Sequence, residues 1–182
     1  VVEGVQGIRW FEVQDSGTGW SIHQQGTYAP GDGAYRWMGS IAADAMGNLA
    51  LGFSISSGSM FPSINYTGRL ANDPLGAMAQ GEAVLVSGGG SQTFATPRWG
   101  DYSAMSVDPQ DDCTFWYTNE YYSVTSAAAW QTRIGAFRFS GCGLPATGTL
   151  SGTVIRSSGG APLAGATVAA GTLSMVTGAD GK

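Results

Sequence analysis

"RWMGSIAADAMGNLALGFSISS", Arg36 to Ser57, decides the fold because it returns as "RWGDYSAMSVDPQDDCTFWYTNEYY", Arg98 to Tyr122. Arg98 lies 62 residues after Arg36. With two extra residues allowed after the later Trp, Ser40 to Asp44 aligns with Ala104 to Asp108. Leu49 to Phe53 then aligns with Cys113 to Tyr117. Each copy reads strand, turn, strand: "SIAAD" then "NLALGFSIS", and "YSAMSVD" then "CTFWYTNEY". The intervening "AMGN" and "PQDD" are built of residues that favour tight reversal.

More of the unit recurs around these copies. "GIRWFEVQ" (Gly7 to Gln14), "SINYTGRLA" (Ser63 to Ala71) and "RIGAFRFSG" (Arg133 to Gly141) each read as a third strand. "WSIHQQG" and "EAVLVSG" read as fourth strands, each leading through a Gly-rich loop into the next Arg-Trp pair. The unit is four antiparallel strands without a helix, and repeated four-stranded units are the mark of a β-propeller. The expected fold is therefore all-β. Residues 1–142 would hold strands three and four of one blade, a complete blade from Ser40 to Ser87, and three strands of another. These read as C-terminal blades of a propeller, cut at both ends from a longer chain whose missing blades are its first partners.

Composition agrees. Gly supplies 29 of 182 residues, roughly twice the usual share. Charged residues are scarce at 12%, but 43% of the chain is hydrophobic, which leaves ample material for a core. Lysine occurs once, at Lys182, and the Arg residues are scattered. With a net charge of -5 and no basic cluster, nucleic acid is not an expected partner. No apolar run reaches the length of a membrane span.

Cys113 and Cys142 belong to no CxxC pair, and the only histidine, His23, is remote, so zinc is not expected. If the second and third strands of the last blade pair with Tyr121 opposite Ile134, Cys113 falls opposite Cys142. Directly opposed residues lie roughly 5 Å apart, within disulfide reach. A disulfide implies an exported protein, so the expected location is extracellular.

Two segments resemble known families. "DSGTGW" (Asp15 to Trp20) resembles the Asp-box, or BNR-type turn, S-x-D-x-G-x-x-W of sialidase-like propellers, with Asp15, Gly17 and Trp20 matching and Val13 in place of Ser. The resemblance implies a structural turn between strands three and four, its Asp accepting backbone N–H bonds and its Trp packing between blades. The paired Arg-Trp copies are similar to propeller regions of large secreted bacterial proteins. After a linker at 143–148, residues 149–182 resemble the start of a carboxypeptidase-regulatory-like domain, a β-sandwich. Gly152, Val154, Pro162, Gly165, Ala166, Val168, Thr177 and Gly181 carry that match. It implies a truncated, non-catalytic spacer or adhesive segment.

Propeller geometry sorts the candidate site residues. Arg36, Arg98, Asp101 and Tyr102 precede or open first strands, while Glu120, Tyr121, Tyr122 and Trp130 sit at or beyond the end of second strands. All eight are expected near one face. Arg can pair a carboxylate, Tyr and Trp can stack on sugar rings, and Asp101 with Glu120 and Tyr121 would be the catalytic set of an enzyme. Arg36-Trp37 and Arg98-Trp99 are equivalent in the repeat, which favours a structural contact. Asp101-Tyr102 and Glu120-Tyr121-Tyr122 have no earlier counterpart. Asp108, Asp111 and Asp112 offer the hard oxygen donors Ca²⁺ takes, but Asn48 in place of Asp112 favours a plain turn. No other cofactor is expected. The expected function is non-catalytic binding of a glycan or another extracellular surface ligand. The alternatives are the C-terminal part of a sialidase-like glycoside hydrolase and an architectural region of a secreted peptidase.

Overall fold

The computed structural model of the chain describes residues 4–96, 98–142, 151–170 and 173–182. The described residues form strands and turns without a helix, so the chain is all-β. None of it is a helix long and apolar enough to cross a membrane. Two compact units result, Val1–Leu144 and Pro145–Lys182; the linker expected at 143–148 lies outside the described residues.

The first unit holds three antiparallel sheets. β1 (Ile8–Asp15) pairs with β2 (Trp20–Tyr28). β3 (Tyr35–Ala43), β4 (Leu49–Ser57), β5 (Met60–Arg69) and β6 (Glu82–Val86) form a four-stranded sheet in sequence order. β7 (Ala104–Val107), β8 (Phe115–Tyr122) and β9 (Trp130–Phe137) form a three-stranded sheet, also in order. The four-stranded sheet expected between Ser40 and Ser87 is present and begins earlier, at Tyr35, on the far side of a bulge at Met38-Gly39.

β4 explains why the sheets stack. Its sequence alternates large and small residues, and a strand sends successive side chains to opposite faces. Leu49, Leu51, Phe53 and Ile55 point one way and join Trp10 and Ala34 in a core between the first and second sheets. Ala50, Gly52 and Ser54 point the other way, where the third sheet arrives with Met105, Phe115 and Tyr117. The small side matters. A Cβ on Gly52 would stand 2.4 Å from the Tyr117 ring, so only glycine admits that ring. Each of the large side chains, once buried, contributes roughly 1.5–3 kcal/mol and anchors the first sheet, while the third sheet brings its own bulk to the small side.

The turns are closed by their own side chains. Asp44 Oδ1 accepts from the Met46 and Asn48 N–H groups at 2.9 Å. In the later copy Asp108 Oδ1 accepts from the Gln110 N–H at 2.9 Å, and its Oδ2 from the Trp116 indole at 3.1 Å. Asp111 accepts from the Cys113 and Thr114 N–H groups and the Thr114 hydroxyl. These bonds, the Thr114 hydroxyl foremost, hold its carboxyl down at about 2. The Asp112 carbonyl takes the Ala45 N–H of the neighbouring turn at 2.8 Å. The carboxylates of Asp108 and Asp111 are thus spent on their own turn, and no cluster of three metal-ligating side chains occurs among the described residues.

Cys113 and Cys142 form the expected disulfide, with Cα atoms 5.5 Å apart. The register that argued for it needs correction. Ile134 lies opposite Thr118, not Tyr121, because β9 starts at Trp130, three residues earlier than read. Cys142 reaches Cys113 through a turn, with its N–H returning to the Phe139 carbonyl at 3.4 Å.

The Asp15–Trp20 turn keeps part of its expected chemistry. Asp15 Oδ1 accepts from the Gly17 N–H at 2.9 Å. Trp20, expected to pack between sheets, is instead 74% exposed, since the outer face of β1–β2 carries no further sheet among the described residues. His23 is the extra residue of a bulge in β2 and is exposed.

In the second unit β10 (Thr167–Ala170) and β11 (Leu173–Val176) pair as a hairpin. Thr177 ties it together: its hydroxyl donates to the Leu163 carbonyl at 2.6 Å and accepts the Ala166 N–H at 3.0 Å. The Val154 N–H donates to the Gly181 carbonyl at 2.9 Å. Several of the residues that carried the resemblance are therefore those that hold the segment's backbone.

Candidate functional site

The site grows out of the difference between the two Arg-Trp copies. In the first, β3 runs on past Trp37 to Ala43. In the second, the two extra residues end the pairing, and β7 begins only at Ala104. Trp99 stays in its structural place. Its indole N–H donates to Ser54 Oγ at 3.1 Å, and its ring meets Trp37 edge-on at 5.9 Å and Tyr122 at 5.4 Å. Gly100 turns the chain with φ +49°, and its N–H donates to Glu120 Oε2 at 2.9 Å. Asp101 and Tyr102 are thereby pushed out, Tyr102 to 91% exposure.

The loop before Arg98 forms the second wall. Gly89 and Gly90 let it run against Ser123 to Thr125, where a Cβ on Gly90 would stand 2.0 Å from backbone atoms. The Gly89 N–H donates to the Tyr122 carbonyl at 2.8 Å, and Gln92 bridges to Ser126. Gln92 then donates to the Tyr122 hydroxyl at 3.1 Å and accepts the Arg98 N–H at 3.3 Å.

Between these walls lies a cleft of about 550 Å³. It is lined by Arg98, Asp101, Tyr102, Glu120, Tyr122 and Trp130, together with Gln92, Phe94, Gly100, Ala127, Ala128 and Thr132. Arg98 is paired with Asp101 through its Nε and a terminal nitrogen. Burial raises the Glu120 carboxyl above its ordinary value, and the Asp101 charge adds to this, against the pull of the Gly100 N–H. The cleft thus holds two carboxyls in unlike surroundings, one salt-bridged guanidinium and an aromatic lining.

Two expected members are elsewhere. Tyr121 follows strand alternation: Glu120 and Tyr122 face the cleft, so Tyr121 faces the second sheet and packs on its core. Arg36 is buried to 2% exposure between Asp32 and Glu82, at 2.6 and 2.8 Å. It also lies over the rings of Tyr28 and Phe53. It edges a separate open groove with Gln6, Arg9 and Met38, but its guanidinium is spent on its two carboxylates. Gln92 and Phe94 were absent from the sequence reading. The only signal for them was the Gly run before them, which permits the loop's close approach.

Compared with family models, with curated proteins and with solved structures, the chain matches none.

Proposed function

We propose that the three sheets of the first unit are consecutive blades of a β-propeller in an exported protein, and that the cleft beside Tyr102 binds glycan without chemical turnover. The second unit then serves as the start of a carboxypeptidase-regulatory-like spacer. Three features support the propeller reading. The sheets are made of consecutive strands, they stack face to face, and the outer face of the first leaves Phe11, Val13 and Ile22 open. The disulfide supports export.

One observation carries the binding reading. Tyr102 and Trp130 stand 91% and 57% exposed at a cleft whose remaining lining includes the polar groups of Gln92, Asp101 and Glu120. Exposed rings flanking hydrogen-bonding groups suit the apolar faces and hydroxyls of a sugar. The test is a glycan array probed with wild type, Tyr102→Ala, Trp130→Ala and Tyr121→Ala. Binding lost in the first two and kept in Tyr121→Ala is expected. Retention of binding in both cleft variants would refute the reading.

The two unlike carboxyls favour a second reading, glycoside hydrolysis. Glu120, whose carboxyl burial pushes up, would act as acid, and Asp101, held by Arg98, would be the second carboxyl group. Turnover of chromogenic glycosides that disappears in Glu120→Gln would establish it in place of simple binding.

A further inference from the structure

We infer that Asp101 sets the charge selectivity of the cleft: by occupying Arg98 it excludes carboxylated sugars and restricts the site to sugars without a carboxylate. This rests on the glycan reading above. The argument begins with the cations. Among the described residues lining the cleft, Arg98 is the one basic side chain, set against two carboxyls, Asp101 and Glu120. A sugar carboxylate is recognised by guanidinium groups that are free to take it in bidentate fashion. Arg98 is not free in that sense, since two of its nitrogens already face Asp101 three residues on. A partner on the same short loop is present at a high effective concentration, so a dissolved carboxylate competes poorly with it. Glu120 places a second carboxyl beside the same loop, held there by the Gly100 N–H, and offers a sugar carboxylate no cation.

Arg36, the repeat equivalent of Arg98, offers no help. It is buried in its own ion pairs between other sheets. What remains for a ligand is the aromatic pair Tyr102 and Trp130, with Gln92 and Thr132 as neutral polar groups. That set recognises hydroxyls and apolar ring faces and is indifferent or hostile to negative charge.

The substitution that separates this from a plain sugar site is Asp101→Asn. It keeps size and hydrogen bonding on an exposed loop, releases Arg98, and removes one negative charge from the cleft. The full 182-residue chain is tested against immobilised N-acetyllactosamine, cello-oligosaccharides and sialyl-N-acetyllactosamine, with circular dichroism to check that each variant folds as wild type. Wild type is expected to retain a neutral sugar and not its sialylated form. Asp101→Asn should gain affinity for the sialylated form on the order of tenfold or more, as a newly available charged hydrogen bond gives. Arg98→Ala in the Asp101→Asn background should abolish that gain. Wild type binding the sialylated sugar as well as the neutral one overturns the inference and leaves the glycan reading standing, as does a folded Asp101→Asn with no gain. Retention of none of these sugars by wild type or Asp101→Asn overturns the glycan reading, and this inference with it.

Discussion

Replacing Glu82 by Ala removes the carboxylate that pairs Arg36 across the second sheet and takes the Tyr28 hydroxyl of the first. Glu82 is 18% exposed, and its Oε2 accepts from Arg36 at 2.8 and 3.0 Å and from the Tyr28 hydroxyl at 3.0 Å. Its Oε1 accepts from the Asn65 amide at 2.7 Å. Truncation leaves a guanidinium at 2% exposure with one remaining carboxylate, Asp32, itself 47% exposed. Removing one member of a buried ion pair costs about 3–5 kcal/mol, because the other charge stays desolvated. Asp32 continues to neutralise Arg36, which places the expectation at the low end, about 3 kcal/mol. The unsatisfied phenol and amide add to this, offset by water admitted to the void. At a urea m-value of about 2 kcal/mol/M, the midpoint falls by about 1.5 M. All six Trp residues belong to Val1–Leu144, so Trp fluorescence follows this unit alone. Glu82→Leu with Arg36→Met should recover much of the loss, since an apolar pair of similar volume removes the stranded charge. The equivalent arginine of the later copy, Arg98, is 78% exposed, and Arg98→Ala should leave the midpoint in place. A shift below about 0.5 M at unchanged m for Glu82→Ala would refute the burial of the Arg36–Glu82 pair.

The Cys113–Cys142 bridge closes a loop of sequence separation 29, for which the chain-entropy relation gives about 3.6 kcal/mol. Cys113→Ala with Cys142→Ala should lower stability by about that amount in urea unfolding, and a loss under about 1 kcal/mol would show that the bridge constrains little. Burial pushes Tyr28 and Tyr117 up to about 12, with the Glu82 charge adding to the effect at Tyr28. A phenol whose folded pKa is raised contributes stability that is complete below its ordinary value of 10 and is lost as pH climbs toward 12. The urea midpoint should therefore fall across that interval, less so in Tyr28→Phe and Tyr117→Phe. A midpoint that stays flat to pH 12 would contradict their burial.

The sheets were legible because period-2 alternation and turn chemistry are local, and a repeat doubles the signal. β4 and β8 could be aligned residue by residue, and Leu51 with Phe115, and Phe53 with Tyr117, are all buried. Strand ends were less legible. "RIGAFRFSG" reads as a complete strand, yet β9 takes Trp130 to Thr132 as well and stops at Phe137, and the expected register is three residues out. The disulfide was reached all the same, because the turn after β9 carries Cys142 back beside Cys113. That turn leaves no periodic trace. Tyr121 was misplaced for the opposite reason: alternation, applied to its own strand, would have turned it away from Glu120 and Tyr122. Gln92 and Phe94 had no such rule to reveal them, since loop side chains are aimed by tertiary contacts such as the Gln92–Tyr122 bond.

The two Arg-Trp pairs show how a repeat opens a cleft. In both copies the Trp lies near the same row, Trp37 edge-on to Trp99, so the ring has a packing duty that sequence equivalence correctly implies. The Arg differs. Arg36 enters a strand that continues, and the geometry drives its guanidinium under Tyr28 toward Glu82. Arg98 enters a strand that the two added residues have cut short, so its neighbour is a loop rather than a sheet. Released from packing, it meets Asp101 in solvent. The same two residues lift Tyr102 into the open and put the Gly100 N–H against Glu120. The cleft thus arises where the later copy departs from the earlier one, at the cost of a few strand hydrogen bonds and without disturbing the Trp that packs between the sheets.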